Sequence, residues 1–244
     1  MVSGYEIWID GYFHMSGGIR ALHKLRDELL KRGQNAWMKY EKHDPSAIGV
    51  YPEIVSDNPS GYEKIVRWLL NTADLPDDPT WAWESGMGDY PLLTVNIIEL
   101  DLFKPRGSHR SGVAYWVGKG EKDEYFIPDR AEEISRDNYT SRESLAERLA
   151  SLDYLISFDP FTAVNIEAVV SGTPVLVRGQ HRKMTSEEIQ GHGWTPYGIA
   201  YSMSELDEAR RTVHLAREHY ESLLPVFDQR VDAFVETSLR LYQG

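Results

Sequence analysis

Apolar residues recur along this chain in two rhythms: short β-branched or aromatic runs bounded by glycine and proline, and longer stretches that repeat every three to four residues. The first rhythm predicts strands over 5–9, 36–40 and 48–55, where Pro52 marks the end of the third. It predicts further strands over 81–83, 92–100, 113–117, 154–158 and 174–177. The second rhythm predicts helices over 19–32, 62–70 and 142–150, and two or three more over 205–242 with Pro225 as a break. In the first helix Ile19, Leu22, Leu25, Leu29 and Leu30 share a face, charged residues fill the other, and Gly33 ends it. Thr162 can cap a short apolar helix that Gly172 closes. Strand, loop, helix and strand follow one another in both halves, so the expected class is α/β with parallel sheets.

A polar, basic, glycine-containing stretch over 106–112 reads as a linker and puts a boundary near Gly107. The expected domains are 1–107 and 108–244. Each follows its first strand with glycine and a phosphate-friendly turn: Gly11, Gly17 and Gly18 in the first, Gly118-Lys119-Gly120 in the second.

Composition narrows the function classes. The net charge of −12 and pI near 5.1 disfavour a nucleic-acid partner, because tracking a polyphosphate needs many Lys and Arg contacts. A local basic patch for a small diphosphate remains available in Lys119, Arg130, Arg178, Arg182 and Lys183. There are no cysteines, so disulfides and thiolate metal sites are excluded. No apolar run reaches membrane-spanning length, and MVSGYEIWIDGYF lacks the basic flank and apolar core of a secretory signal; a cytoplasmic protein is expected.

The residues with most chemistry lie over 157–177, SFDPFTAVNIEAVVSGTPVLV, where Asp159 and Glu167 flank a helix start. Free N–H groups there attract phosphate, and a carboxylate further along can accept ribose hydroxyls. His14, in the loop after the first strand, can orient a substrate near neutral pH, although bonding to backbone is the plainer role for a loop histidine. Glu53, after the third strand, is a candidate acceptor-side carboxylate, since ligands bind beyond strand C-terminal ends. Trp81, Trp83, Tyr115 and Trp116 can stack on sugar rings, but strand aromatics are more often core. His181 and His192 lack metal-site spacing, so no metal is expected.

This segment resembles the E-x7-E signature of retaining GT-B glycosyltransferases, especially family 4. Asp159, Pro160 and Phe161 stand for its acidic, Gly/Pro, Phe opening, Glu167 and Ala168 for Glu-Ala, and Gly172 to Val175 for Gly-x-Pro-Val. Asp159 replaces the family's first Glu, and Thr162 and Ala163 replace a glycine-rich turn. Residues 101–105 resemble the Asp-x-x-Phe-x-Pro segment that closes the first domain, one residue short, and 51–71 resembles a stretch that ends a strand and covers the inter-domain cleft in some members. The resemblance implies two Rossmann-like domains with a cleft, a terminal helix that returns to the first domain, and metal-independent, cofactor-free, retaining transfer from a nucleotide-diphosphate sugar to an acceptor hydroxyl. It assigns Asp159 to the donor sugar, Glu167 to the ribose, the N–H groups of Phe161, Thr162 and Ala163 to the phosphates, Lys119 to their charge, and the Gly17–Gly18 loop to the donor. His14 joins Asp159 as a catalytic candidate. The acceptor, whether glycan, small molecule or protein, is open, and both short halves leave room for completion by a partner or a second copy. Two alternatives stand beside this reading: a non-catalytic module that binds a nucleotide sugar or glycan, and a nucleotide-sugar epimerase or dehydrogenase. The latter needs G-x-G-x-x-G and Tyr-x-x-x-Lys, and neither stands in a strand-to-helix context.

Overall fold

The computed structural model describes residues 2–242 except 10, 14, 15, 72, 74–76, 108, 136 and 179–194. It divides into two units: the first holds residues up to Ile97 and again from Leu224, the second those described from Ile98 to Leu223. The division falls before Gly107 for a local reason. Phe103 is fully buried, the Arg142 guanidinium lies 4.5 Å from its ring centroid, and Arg217 Nη1 donates to the carbonyls of Leu100 and Phe103 at 2.9 and 3.1 Å. Segment 99–103 is therefore fastened within the second unit.

The first unit runs β1 (Tyr5–Ile7), α1 (Gly17–Lys31), β2 (Ala36–Met38), β3 (Ile48–Pro52), β4 (Lys64–Leu69) and β5 (Thr80–Ala82). All five strands are parallel, in the order β2-β1-β3-β4-β5. Ser16 caps α1 by accepting from Ile19 N at 3.3 Å. At the other end Gly33, at φ +71°, lets Gln34 N and Gly33 N return to the carbonyls of Leu29 and Leu30, the two bonds of a Schellman stop. Leu22, Leu25 and Leu29 pack on Tyr5 and Ile7, whereas Leu30, expected on that face, is 49% exposed.

Two expectations fail here. Residues 62–70 were expected as a helix because their apolar spacing fits one, but 64–69 form β4. Pairing with β3 and β5 on both edges buries Val66, Arg67, Trp68 and Leu69, and a strand covered on both faces loses polar alternation. Residues 92–100 form no strand beyond a single bridge from Leu92 to Ala82. Side chains take up two carbonyls of this extended backbone instead: Trp68 Nε1 donates to Leu93 O at 2.9 Å and Arg20 Nη1 to Ile97 O at 3.1 Å, and the Thr94 side chain in turn donates from Oγ1 to Trp83 O at 2.6 Å.

The outer half of the sheet carries a buried acid. Glu6, fully buried in β1, accepts from Asp44 N at 2.7 Å, Trp37 Nε1 at 3.2 Å and the Tyr62 hydroxyl, and His43 Nδ1 lies 3.0 Å away. Burial, with the Glu6 carboxylate adding to it, pushes the Tyr62 phenol well above its usual range. The Tyr62 ring reaches this position by lying over Gly49, where a side-chain carbon would stand 2.1 Å from Cδ2.

The second unit runs β6 (Val113–Trp116), β7 (Glu132–Glu133), α2 (Arg142–Ser151), β8 (Tyr154–Ser157), α3 (Ala163–Val170), β9 (Val175–Val177), β10 (Ile199–Ala200) and α4 (Leu206–Thr212), followed by α5 (Ala216–Tyr242). Its strands are also all parallel, in the order β10-β9-β8-β6-β7. Counted within each unit, both sheets have the order 2-1-3-4-5, a doubly wound arrangement. Pro225, expected to break the terminal helices, lies inside α5. It is exposed, so the Glu221 carbonyl that loses an N–H partner sits on a solvent-facing stretch, where water can replace the bond. From Leu224 onward α5 belongs to the first unit, where Val231 and Phe234 enter the core and Ser238 Oγ lies 2.8 Å from the Tyr5 hydroxyl.

Candidate functional site

In a doubly wound sheet, neighbouring strands whose connections depart in opposite directions leave a crevice at their C-terminal ends. In the second unit those strands are β6 and β8. The turn after β6 is Gly118-Lys119-Gly120, and the loop after β8 opens with Asp159. The structure brings these two sequence-selected segments together. Asp159 is buried, and its Oδ2 accepts from Lys119 N at 3.0 Å while Oδ1 accepts from Phe161 N at 3.2 Å.

Glycine makes the approach close. At Gly120 a side-chain carbon would stand 1.9 Å from Phe158 O; at Gly118, where φ is +59°, it would stand 2.4 Å from Asp159 Oδ2. Behind the loop, Ser157 Oγ donates to Asp159 O at 2.8 Å, and Asn165 Nδ2 to the same oxygen at 3.0 Å and to Pro160 O at 3.3 Å. The loop is thus pinned from strand and helix alike.

Thr162 caps α3 as expected, its Oγ1 accepting from Val164 N at 3.5 Å. Phe161 is exposed, and Thr162 and Ala163 are partly so, leaving the helix entrance at the surface of this unit. Lys119 is exposed. Arg178, just beyond β9, has its guanidinium 3.6 Å from the centroid of Phe126, in the turn Glu124–Phe126. Its Nε is buried with no hydrogen-bond partner among the described residues. The strand order β9-β8-β6 therefore puts a fixed guanidinium, a helix entrance and a lysine at successive strand ends.

Glu167 is placed differently from what the resemblance implies. It is fully buried in α3, and Oε1 accepts from Arg142 Nη2 at 2.6 Å. Arg142 Nε in turn donates to Glu99 at 2.8 Å. The coulombic pull of these acids, against burial as the largest opposing influence, raises the Arg142 guanidinium above its ordinary value. Arg142 was missed from sequence: as the first residue of a predicted helix it carries no local mark of an ion pair with Glu167.

No family model matches the chain. No curated protein matches it. Among solved structures it is similar to AviGT4, a glycosyltransferase involved in avilamycin A biosynthesis, with 15% sequence identity and a TM-score of 0.49 over 99% of this chain and 98% of that one.

The first unit repeats the topology, with its switch point between β1 and β3. Gly17 and Gly18 open α1 beyond β1, and Glu53 follows β3. Glu53 Oε2 accepts from Leu70 N at 3.0 Å, the amide beyond β4, so this carboxylate holds a neighbouring strand end. His14 lies outside the described residues, as do His181, Arg182, Lys183 and His192. Trp81, Tyr115 and Trp116 are core residues, and Tyr115 donates its hydroxyl to Glu133 at 2.9 Å. Among the described residues, no three or more His, Asp or Glu side chains group as a metal site requires, and no helix is long and apolar enough to cross a membrane.

Proposed function

We propose that this chain is a glycosyltransferase that takes a sugar from a nucleotide-diphosphate donor, with the diphosphate held at the β6–β8 switch point of the second unit. The observation that carries the proposal is the Asp159 carboxylate bonded at once to Lys119 N and Phe161 N, which joins the Gly-Lys-Gly turn to the signature loop. Departure of a nucleoside diphosphate builds negative charge on its oxygens, and donors already fixed in place lower the barrier most. The N–H groups of Thr162 and Ala163 at the entrance of α3 are such donors, whereas that of Phe161 is given to Asp159. Lys119 supplies a mobile positive charge, and Arg178, flat against Phe126, a fixed one. Asp159 holds the two loops in register and presents its remaining lone pairs to the sugar. His14 keeps the orienting role that its place in the loop after β1 suggests.

Glu167 enters this proposal as a positioning residue. Sealed against Arg142, it sets α3 relative to α2 and acts on the donor through the helix entrance. The Gly17–Gly18 loop keeps the donor role that the resemblance assigns to it, and Glu53 the acceptor-side role that its place beyond β3 suggests. Retention of configuration, independence of metal ions and the absence of a cofactor come with the family resemblance and form part of the proposal.

The test is a panel of nucleotide sugars scored for binding by thermal shift and for free nucleoside diphosphate released with and without acceptors. A donor that binds the native state raises the melting temperature, and release on adding an acceptor identifies transfer. Binding without release under any acceptor would assign the chain as a binding module instead. No thermal shift with any nucleotide sugar would refute the proposal.

A further inference from the structure

Tyr12, in the loop after β1, is 60% exposed, and Tyr40, just beyond β2, is 52% exposed. They are not scattered. Both close on the ring of His23 in α1, Tyr12 edge-to-face with centroids 4.8 Å apart and Tyr40 tilted at 6.3 Å. A lone exposed aromatic needs no explanation, whereas a contiguous patch with a polar rim marks a binding surface. The rim here is Arg26, whose guanidinium reaches Asp27 at 2.8 Å and Glu41 at 3.3 Å. Burial, with the charge of Arg26 beside it, holds the His23 imidazole below its ordinary value, so that ring adds no charge to the platform at neutral pH.

We infer that this platform is a glycan subsite: Tyr12 and Tyr40 stack on a ring of a neutral oligosaccharide acceptor, at least one sugar away from the hydroxyl that is glycosylated. This rests on the function proposed above and names its acceptor. A sugar ring presents C–H groups on its faces and hydroxyls round its edge, which matches aromatic rings bordered by a guanidinium and two carboxylates. An anion meets Asp27 and Glu41, a cation meets Arg26, and a wholly apolar ligand strips water from all three without replacing it. Position sets the length. Tyr40 follows β2 and Glu53 follows β3, with β1 between them, so at about 4.8 Å per strand spacing these strand ends lie roughly 10 Å apart. One ring cannot touch both; a chain of two or more can.

The experiment titrates the full chain by calorimetry with neutral mono- to tetrasaccharides of the glucose, mannose, galactose and N-acetylglucosamine series, and repeats the titration with Tyr12→Ala, Tyr40→Ala and the corresponding phenylalanine variants. Both tyrosines are exposed, so the variants should fold, and thermal unfolding checks that they do. The expected result is one series whose affinity rises with chain length. Each alanine variant should weaken the tetrasaccharide roughly two- to tenfold and shrink the advantage of the longer chain, while the phenylalanine variants keep both. Alanine variants that bind every oligosaccharide as the parent does overturn the inference and spare the function. So does a panel of which none binds to a protein that nucleotide sugars do stabilise. A dimer that either alanine variant dissolves overturns it as well, assigning the platform to a second copy of the chain. Glycan binding that needs both tyrosines, in a protein whose melting temperature no nucleotide sugar raises, would support the subsite and sink the transferase.

Discussion

Replacing Arg142 with methionine isolates the contribution of the ion pair beneath α3. Glu167 is fully buried and Arg142 nearly so, and their 2.6 Å contact is charge-assisted. Glu99, the other acid on Arg142, is 54% exposed, so its charge stays solvated when the guanidinium is removed. The loss therefore concentrates on Glu167. Stripping one partner from a buried pair costs up to ~3–5 kcal/mol, because the remaining charge has lost its bonded cation, whereas replacing both by apolar groups of similar volume is often neutral. Arg142→Met should lower stability by about that amount, and Arg142→Met with Glu167→Leu should recover at least ~2 kcal/mol of it. Urea unfolding of the four proteins of this double-mutant cycle measures both quantities. The double variant also decides the role of Glu167: as a positioning residue its replacement leaves donor affinity within about threefold, whereas a direct ribose contact would cost ~1.5–3 kcal/mol. A loss below ~1 kcal/mol for Arg142→Met, or strictly additive effects, would refute the buried-pair reasoning.

Gly118→Ala must force the new carbon into Asp159 and Trp116 at a left-handed backbone position; a loss of ~1–3 kcal/mol in thermal unfolding is expected, together with weakened donor binding. Pro225→Ala restores the missing helical N–H and should stabilise the protein by up to ~3 kcal/mol, read by chemical denaturation; a destabilised variant would show that the proline is required where it stands. Burial raises the Glu28 carboxyl, but hydrogen bonds from Lys31 and Arg32, aided by Lys24, outweigh it and leave the pKa below its ordinary 4.5. Its folded value is thus lower than its unfolded one, so its stabilisation is complete above about pH 4.5 and fades as pH falls through the folded value. Glu28→Gln should be less stable than the parent at pH 6 and converge with it in strong acid; a gap independent of pH would contradict this.

Much of this architecture was readable locally. Thr162, Gly33 and Gly172 are end signals whose physics needs only a few neighbouring residues; α3 begins, and α1 and α3 stop, where those signals stand. The strands over 113–116, 154–157 and 175–177 were likewise legible, and with them the place of Asp159 and Lys119 beyond strand ends. What failed depended on distant partners. Nothing within 62–70 announces that strands will flank it on both edges, and nothing in 92–100 announces that Trp68 and Arg20 will take up its carbonyls. The Arg142–Glu167 pair belongs to the same class, since it joins residues that only the tertiary structure makes adjacent.

Glu6 has a consequence for how the first unit assembles. Its carboxylate gathers Trp37 from β2, Asp44 and His43 from the following loop, and Tyr62 from the approach to β4. Until those pieces arrive, docking β1 would carry a naked anion into an apolar interior. The penalty disfavours states of the first unit in which β1 is buried before those partners are in place, so its strands gain their register together.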